Sequence, residues 1–342
     1  MPELSRRRFL QGTVASTVVG PATAGCLGRG NDVTESMTLA YVPIYPNMQH
    51  YVMAEQGFYD DIDTDVSVER FGAGPEVVTA FASGDVDVAL FGITPAMVLV
   101  DRGVDAGVLA ANSRNGFKVM ATAEVADRFD REGAAAFENF EAENGRKVHF
   151  GVPPDGSVPD VVLRYWIEED LGAGALESVV QKSPVPPARA VQTIQSGDID
   201  ATMIQEPFAT NIGQSDDFAE VVWSGSILDD HPVTVLFGNE SLLDSPEIAE
   251  SLVEKHVEAT AFVAENPDEA AADAAEVIGE GVSQDRARTA LDSRASDFLS
   301  DPHTVADQAE TMAAFVAEVG NTDAVVQPDE LFEFAPYDTV HG

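Results

Sequence analysis

The chain has 342 residues, 44% of them hydrophobic, which suits two domains or one large bilobed unit with a sizeable buried core. It carries 59 acidic residues against 19 basic ones, a net charge of −40, and only four of the basic residues are lysines. No basic patch is left to neutralise phosphates, which excludes nucleic-acid binding as a main task; the carboxylates are spread through regular apolar patterns, so they read as a halophile's surface, screened by concentrated salt, and not as disorder.

At the N-terminus, Ser5-Arg6-Arg7-Arg8-Phe9-Leu10 precedes a short stretch of small and apolar residues and then Cys26, the only cysteine. A lone cysteine allows no intrachain disulfide, and the apolar stretch is shorter than the ~20 residues of a membrane-spanning helix. The twin arginines resemble a Tat export signal, and Ala24-Gly25-Cys26 resembles a lipobox, with Thr23 departing from the larger aliphatic residue usual there. On this reading 1–25 is a lipoprotein signal, Cys26 carries the lipid, and the polar segment 26–36 is a tether. The body is then held on the outer face of the cell membrane.

Residues 37–43 read as a strand ending at Pro43, and 47–56 as a helix stopped by Gly57. An alternating strand at 65–71 leads through Gly72-Ala73-Gly74-Pro75 into a helix ended by Gly84, and 85–92 is the next strand. The order β-α-β-α-β predicts a mostly parallel sheet covered by helices. The phrase Ser83-Gly84-Asp85-Val86-Asp87 recurs as Ser196-Gly197-Asp198-Ile199-Asp200, 113 positions later. Its second copy has the same grammar: a strand within 146–154, a helix over 158–171, a strand within 177–187, a helix over 188–195, and a strand ending at Glu206-Pro207. From about residue 245 the chain is helical and alanine-rich. The six histidines are scattered, no metal cluster has workable spacing, and neither a P-loop nor a G-x-S-x-G elbow occurs, so no metal or cofactor is expected.

The order of these features resembles the substrate-binding proteins of ABC importers for nitrate, sulfonates, taurine and thiamine precursors. The residues that carry the resemblance are Gly57-Phe58, the stretch from Ala80 through Asp87, Gly92, Thr94-Pro95, Gly156-Ser157, Leu163-Arg164, the stretch from Gly197 through Ala201, and Glu206-Pro207, within residues 37–320. The resemblance implies an α/β, type II periplasmic-binding-protein fold: two α/β lobes joined by two crossing segments, with a ligand cleft between them. Lobe I would comprise 37–116 and 231–340, and lobe II 117–230. It also implies a monomer that binds a small molecule, does no chemistry on it, and docks on a permease driven by a cytoplasmic ATPase. An enzyme on the same fold is the weaker alternative, because its relatives work in the cytoplasm and this chain carries an export signal.

In open α/β sheets ligands bind beyond the carboxyl ends of the strands. That rule selects Tyr45 and Asn47, Gly74 and Pro75, Gly92 and Thr94, Asn112 and Arg114, Gly156 and Ser157, and Gln205 and Glu206. Each has a second reading. Asn47 and Thr94 also suit helix N-caps, Ser157 suits an N-cap paired with Asp160, and the glycines suit turns. Arg114 either neutralises an anion or pairs on the surface; Tyr45 either stacks on a flat ligand or builds the wall; Glu206 either accepts from a ligand or bonds the lobes together. Free N–H groups at helix starts and Arg114 favour a nitrate- or sulfonate-like anion. Tyr45, Asn47 and Glu206 would instead suit a thiamine-precursor pyrimidine. Asn239-Glu240-Ser241 matches the N-glycosylation pattern.

Overall fold

The structure, a computed structural model, describes residues 33–279 and 282–341. The twin arginines and Cys26 lie outside the described residues. The chain begins with β1 (Ser36–Tyr41), α1 (Met48–Glu55), β2 (Asp65–Arg70), α2 (Gly74–Ser83), β3 (Val88–Gly92), α3 (Ile93–Asp101) and β4 (Ala106–Arg114). It crosses at residues 115–116 to β5 (Phe117–Thr122), followed by α4 (Ala123–Glu132), α5 (Ala135–Asn144), β6 (His149–Val152), α6 (Val158–Tyr165) and α7 (Leu176–Val179). Next come β7 (Gln181–Pro184), α8 (Pro187–Gln195), β8 (Ala201–Gln205), α9 (Phe208–Ile212), β9 (Phe218–Trp223) and α10 (Ser224–Ile227). A second crossing at residues 228–231 returns it to β10 (Pro232–Asn239), α11 (Glu240–Leu243), α12 (Pro246–Glu265), α13 (Pro267–Ile278) and α14 (Gln284–Leu291). The chain closes with β11 (Asp297–Phe298), α15 (His303–Glu318), α16 (Pro328–Leu331) and α17 (Ala335–His341).

Two sheets result, ordered β11-β4-β10-β3-β1-β2 and β7-β6-β8-β5-β9. They form lobes I and II of a two-lobed α/β fold. Each contains a parallel triplet, β2-β1-β3 in one and β7-β6-β8 in the other. The remaining strands pair antiparallel, which corrects the expected mostly parallel sheet. β4 and β9, which lead into the crossings, run with the triplets, and β5 and β10, which receive the chain after each crossing, run against them. Helices cover both faces. One apolar cluster packs α2, α3 and α15 in lobe I and α4, α5 and α6 in lobe II; the other packs α1, α12, α13 and α14 with α8 and α9. The helix expected over 158–171 is α-helical to Tyr165 and continues as a π-turn over Trp166–Asp170.

The repeated phrase builds the same device twice. Gly84 and Gly197 take left-handed backbone angles, φ 77° and 79°, which glycine adopts without a Cβ clash. The serine before each donates to the aspartate two residues on: Ser83 to Asp85 and Ser196 to Asp198, both at 2.7 Å. The second aspartate of each phrase then accepts a backbone N–H in the first half of the neighbouring parallel strand. Asp87 takes Thr38 N at 2.8 Å, and Asp200 takes His149 N at 2.8 Å. Burial opposes ionisation of Asp200, but Arg146 and the His149 N–H outweigh it and hold the carboxyl below its usual range. Asn239 donates to Asp87 and caps α11 through Leu242 N, so its amide is engaged in packing and not free for a glycan.

Candidate functional site

A cavity of about 590 Å³ opens between the lobes at the carboxyl ends of both parallel triplets. Lobe I contributes Val42 and Ile44 after β1, residues 72–75 after β2, and Gly92 at the end of β3. Two helical stripes extend that wall: Pro75, Val78 and Thr79 of α2, and Pro95, Val98 and Arg102 along α3. Val233, Thr234 and Asn321 complete this side. Lobe II contributes Phe117, residues 153–159 after β6, residues 184–187 after β7, and Gln205 at the end of β8.

Six of the residues expected to contact a ligand line this cavity: Gly74, Pro75, Gly92, Gly156, Ser157 and Gln205. Helices α2, α3, α6 and α8 all begin at its wall, and none has an N-cap side chain bonded to its first turn. The expected Ser157–Asp160 capping pair is not formed. Ser157 Oγ is buried without a partner, and Asp160 instead accepts Gly156 N at 3.0 Å. Asp160 and the exposed Asp155 are both bridged by Lys182 Nζ at 2.6 Å, which fixes the loop that carries Gly156. Burial disfavours the Lys182 charge, yet these two carboxylates outweigh it and raise its pKa.

Thr94 lies behind the wall, buried, and its Oγ1 donates to Gly156 O of the opposite lobe at 2.8 Å. It is neither an N-cap nor on the cavity surface. Beside it, a Cβ on Gly92 would stand 2.9 Å from Val158 Cγ2. The two lobes therefore already touch at the cavity floor.

The other expected contacts lie elsewhere. Tyr45 is 1% exposed, and its hydroxyl donates to Ala287 O at 2.6 Å, so it ties the segment after β1 to α14; burial raises its pKa. Asn47 donates to Val42 O and Leu90 O and accepts from Asn112 at 3.1 Å, while Asn112 accepts from His256 at 2.8 Å. These polar side chains bond to one another inside an apolar core, where unpaired polar groups are costly, and among them His256 Nδ1 is left without a partner. Arg114 pairs with Asp230 at 2.8 Å and Asp297 at 2.7 Å, so its charge is spent beside the crossings. Glu206 is fully buried, pairs with Lys118 at 3.0 Å and accepts Thr210 N at 2.9 Å, all within lobe II. Sequence reasoning missed Arg102, the cation that does line the cavity. It follows Pro95 and Val98 at helical spacing, a signal hidden because the strand-end rule looks only at the other end of α3.

The NMT1-like family matches residues 30–279 of this chain. The fold is similar to the periplasmic nitrate-binding protein NrtA of Synechocystis, with a TM-score of 0.73 at 18% identity, covering 89% of this chain and 88% of that one. It is also similar to the periplasmic aliphatic sulphonate-binding protein SsuA of Escherichia coli, with a TM-score of 0.69 at 17% identity over 87% and 92%. The zinc-bound ligand-binding component of an ABC-type import system from Staphylococcus aureus gives a TM-score of 0.70 at 16% identity over 90% and 99%. Among curated protein sequences no significant match is found.

Proposed function

The chain belongs to the NMT1-like family, and from that premise we propose that it is the solute-capturing receptor of an ABC-type importer. The observation that carries this reading is the single cavity wall built from the strand ends of both lobes. A solute there gains contacts with two lobes when they close and with one when they part, so binding shifts the population toward the closed form. The closed form then presents both lobes to a permease driven by a cytoplasmic ATPase. The protein does no chemistry on its cargo. The two crossings, at residues 115–116 and 228–231, act as the hinge between lobe I (37–116 and 231–340) and lobe II (117–230).

The solute carries an anionic group of the nitrate or sulfonate kind. Four helix N-termini face the cavity, where the positive end of each dipole favours negative charge, and Arg102 stands on the wall. The pyrimidine reading relied on Tyr45, Asn47 and Glu206, which are all engaged elsewhere. The N-terminal residues complete the proposal: Tat export, a diacylated Cys26 and a monomeric body held at the outer membrane face in concentrated salt.

Thermal-shift screening of small solutes in multimolar KCl tests the receptor reading, since a ligand at 100 times its Kd adds about 2.7 kcal/mol of stability. The hit should lose its effect in Ser157→Tyr, whose apo melting temperature stays within a few degrees of the parent. A screen in which no solute moves the melting temperature removes the receptor reading. Mass spectrometry of protein from the native membrane tests the anchor: an intact Met1 would exclude it.

A further inference from the structure

We infer, on the receptor reading above, that the cargo is an organic anion with an apolar body of ring size, and not a bare oxoanion. Three observations carry this. The first is room. A planar four-atom oxoanion needs about as much space as one or two water molecules at ~30 Å³ each, whereas the cavity offers about 590 Å³, a volume typical of organic-ligand sites. Closure does not remove that difference. The lobes already meet at the floor through Thr94 and Gly156, and Gly92 leaves no space for even a Cβ against Val158.

The second is the wall. Of its 28 residues, eight are prolines and nine more are aliphatic or aromatic, so apolar carbon dominates the surface that a solute would meet. Phe117, Pro154, Pro186 and Pro187 form the lobe II side of it. The prolines also thin out donors. Each helix that begins at the cavity carries one in its first turn: Pro75 in α2, Pro95 in α3, Pro159 in α6 and Pro187 in α8. A proline has no N–H, so these helix ends keep their dipoles but lose hydrogen bonds. A bare oxoanion would find few donors on this wall to replace its hydration, which is costly. An apolar body meets this wall with no such loss.

The third is charge. Two charged residues line the cavity, Asp155 and Arg102. Asp155 is paired with Lys182 at 2.6 Å, an ammonium that it shares with the buried Asp160. Arg102 is exposed and takes part in none of the ion pairs among the described residues. It is thus the charge left to hold an anionic head at the cavity mouth while the body lies along Val98 and the prolines.

Calorimetric titration in multimolar KCl with four probes tests this: nitrate, methanesulfonate, naphthalene-2-sulfonate and its uncharged sulfonamide. Naphthalene-2-sulfonate should bind at least tenfold more tightly than methanesulfonate, about 1.4 kcal/mol, and nitrate should be weakest. Arg102→Gln should weaken naphthalene-2-sulfonate about fivefold and leave the sulfonamide unchanged. Nitrate or methanesulfonate matching the naphthyl compound would overturn the inference, as would the sulfonamide binding better than the sulfonate. Failure of all four probes, with a hit elsewhere in the solute screen, overturns it and leaves the receptor standing. A screen without any hit brings down the receptor reading itself.

Discussion

Asp87 and Asp200 hold the starts of β1 and β6 by accepting a backbone N–H that would otherwise be buried unpaired. Truncating either leaves that donor unsatisfied, so Asp87→Ala and Asp200→Ala should each lower the unfolding free energy by about 2 kcal/mol. Solute affinity should be unchanged, because both lie at the strand ends away from the cavity. Denaturant titration beside calorimetry separates the two effects. The buried histidines set a second residue-scale expectation. Burial lowers the pKa of His50 and His256 to about 3 and that of His231 to about 4. The unfolded chain takes up these protons near pH 6.5 while the folded chain does not, so stability is complete above that pH and is lost as pH falls toward 4. Each histidine should cost about 2 kcal/mol between pH 7 and pH 5. His256→Gln should therefore flatten the pH dependence by about a third in thermal melts. At this scale the sequence was least informative. Tyr45, Asn47, Asn112 and Glu206 sit in loops or strand ends that the ligand rule selects, yet their partners come from Ala287, His256 and Lys118, far along the chain. Nothing local in the sequence states which way such a side chain turns.

Among elements, one close approach between lobes is that of the β3–α3 junction to the start of α6. Gly92 has an ordinary extended backbone, φ −66°, so its lack of a side chain is a matter of space and not of conformation. In Gly92→Ala the new methyl would stand 2.9 Å from Val158 and 3.3 Å from Pro95. The lobes would be held apart, and solute affinity should drop about tenfold (roughly 1.4 kcal/mol) with the apo melting temperature nearly unchanged. Val158→Ala in the same chain should restore most of the affinity by making room. A double mutant that stays as weak as the single one would show that the contact is incidental to closure. The glycine and proline loops around the cavity were legible in the sequence because helix starts and stops follow from backbone chemistry alone. The parallel triplets were legible too, from the β-α-β order. The antiparallel halves were not: β10 inserts between β3 and β4 after more than a hundred intervening residues, and the order of elements before the first crossing carries no trace of that partner.

Over the whole molecule, a net charge of −40 on 342 residues sets the conditions under which the lobes hold together. Several ion pairs lie where the lobes and crossings meet. Arg114 pairs with Asp230 and Asp297; Arg294 of lobe I pairs with Glu220 of lobe II, and its guanidinium lies 5.0 Å from the Trp223 ring centre. Trp223 in turn donates to Asn115 O at 2.7 Å, at the first crossing. Asn115 and Asp230, with φ of 55° and 59°, are the only non-glycine residues with positive φ among those described, and one lies in each crossing. Salt acts on the two kinds of electrostatics differently. Repulsion among exposed carboxylates is long-ranged and fades as the screening length falls from about 10 Å at 0.1 M to about 3 Å at 1 M. Contact pairs such as Arg294–Glu220 are shorter than either length and retain more of their energy. Stability should therefore rise with KCl from 0.1 to 3 M, by 10 °C or more in melting temperature as an order-of-magnitude expectation from about 2–4 °C per kcal/mol. Arg294→Gln should lower the curve by a similar amount at every salt concentration, because it removes a contact and not a long-range field. Melting temperatures that fall or stay level with KCl would exclude the halophilic reading of the surface. A gap between Arg294→Gln and the parent that closes as salt rises would instead place that pair among the screened surface charges, and the hinge would owe nothing to it.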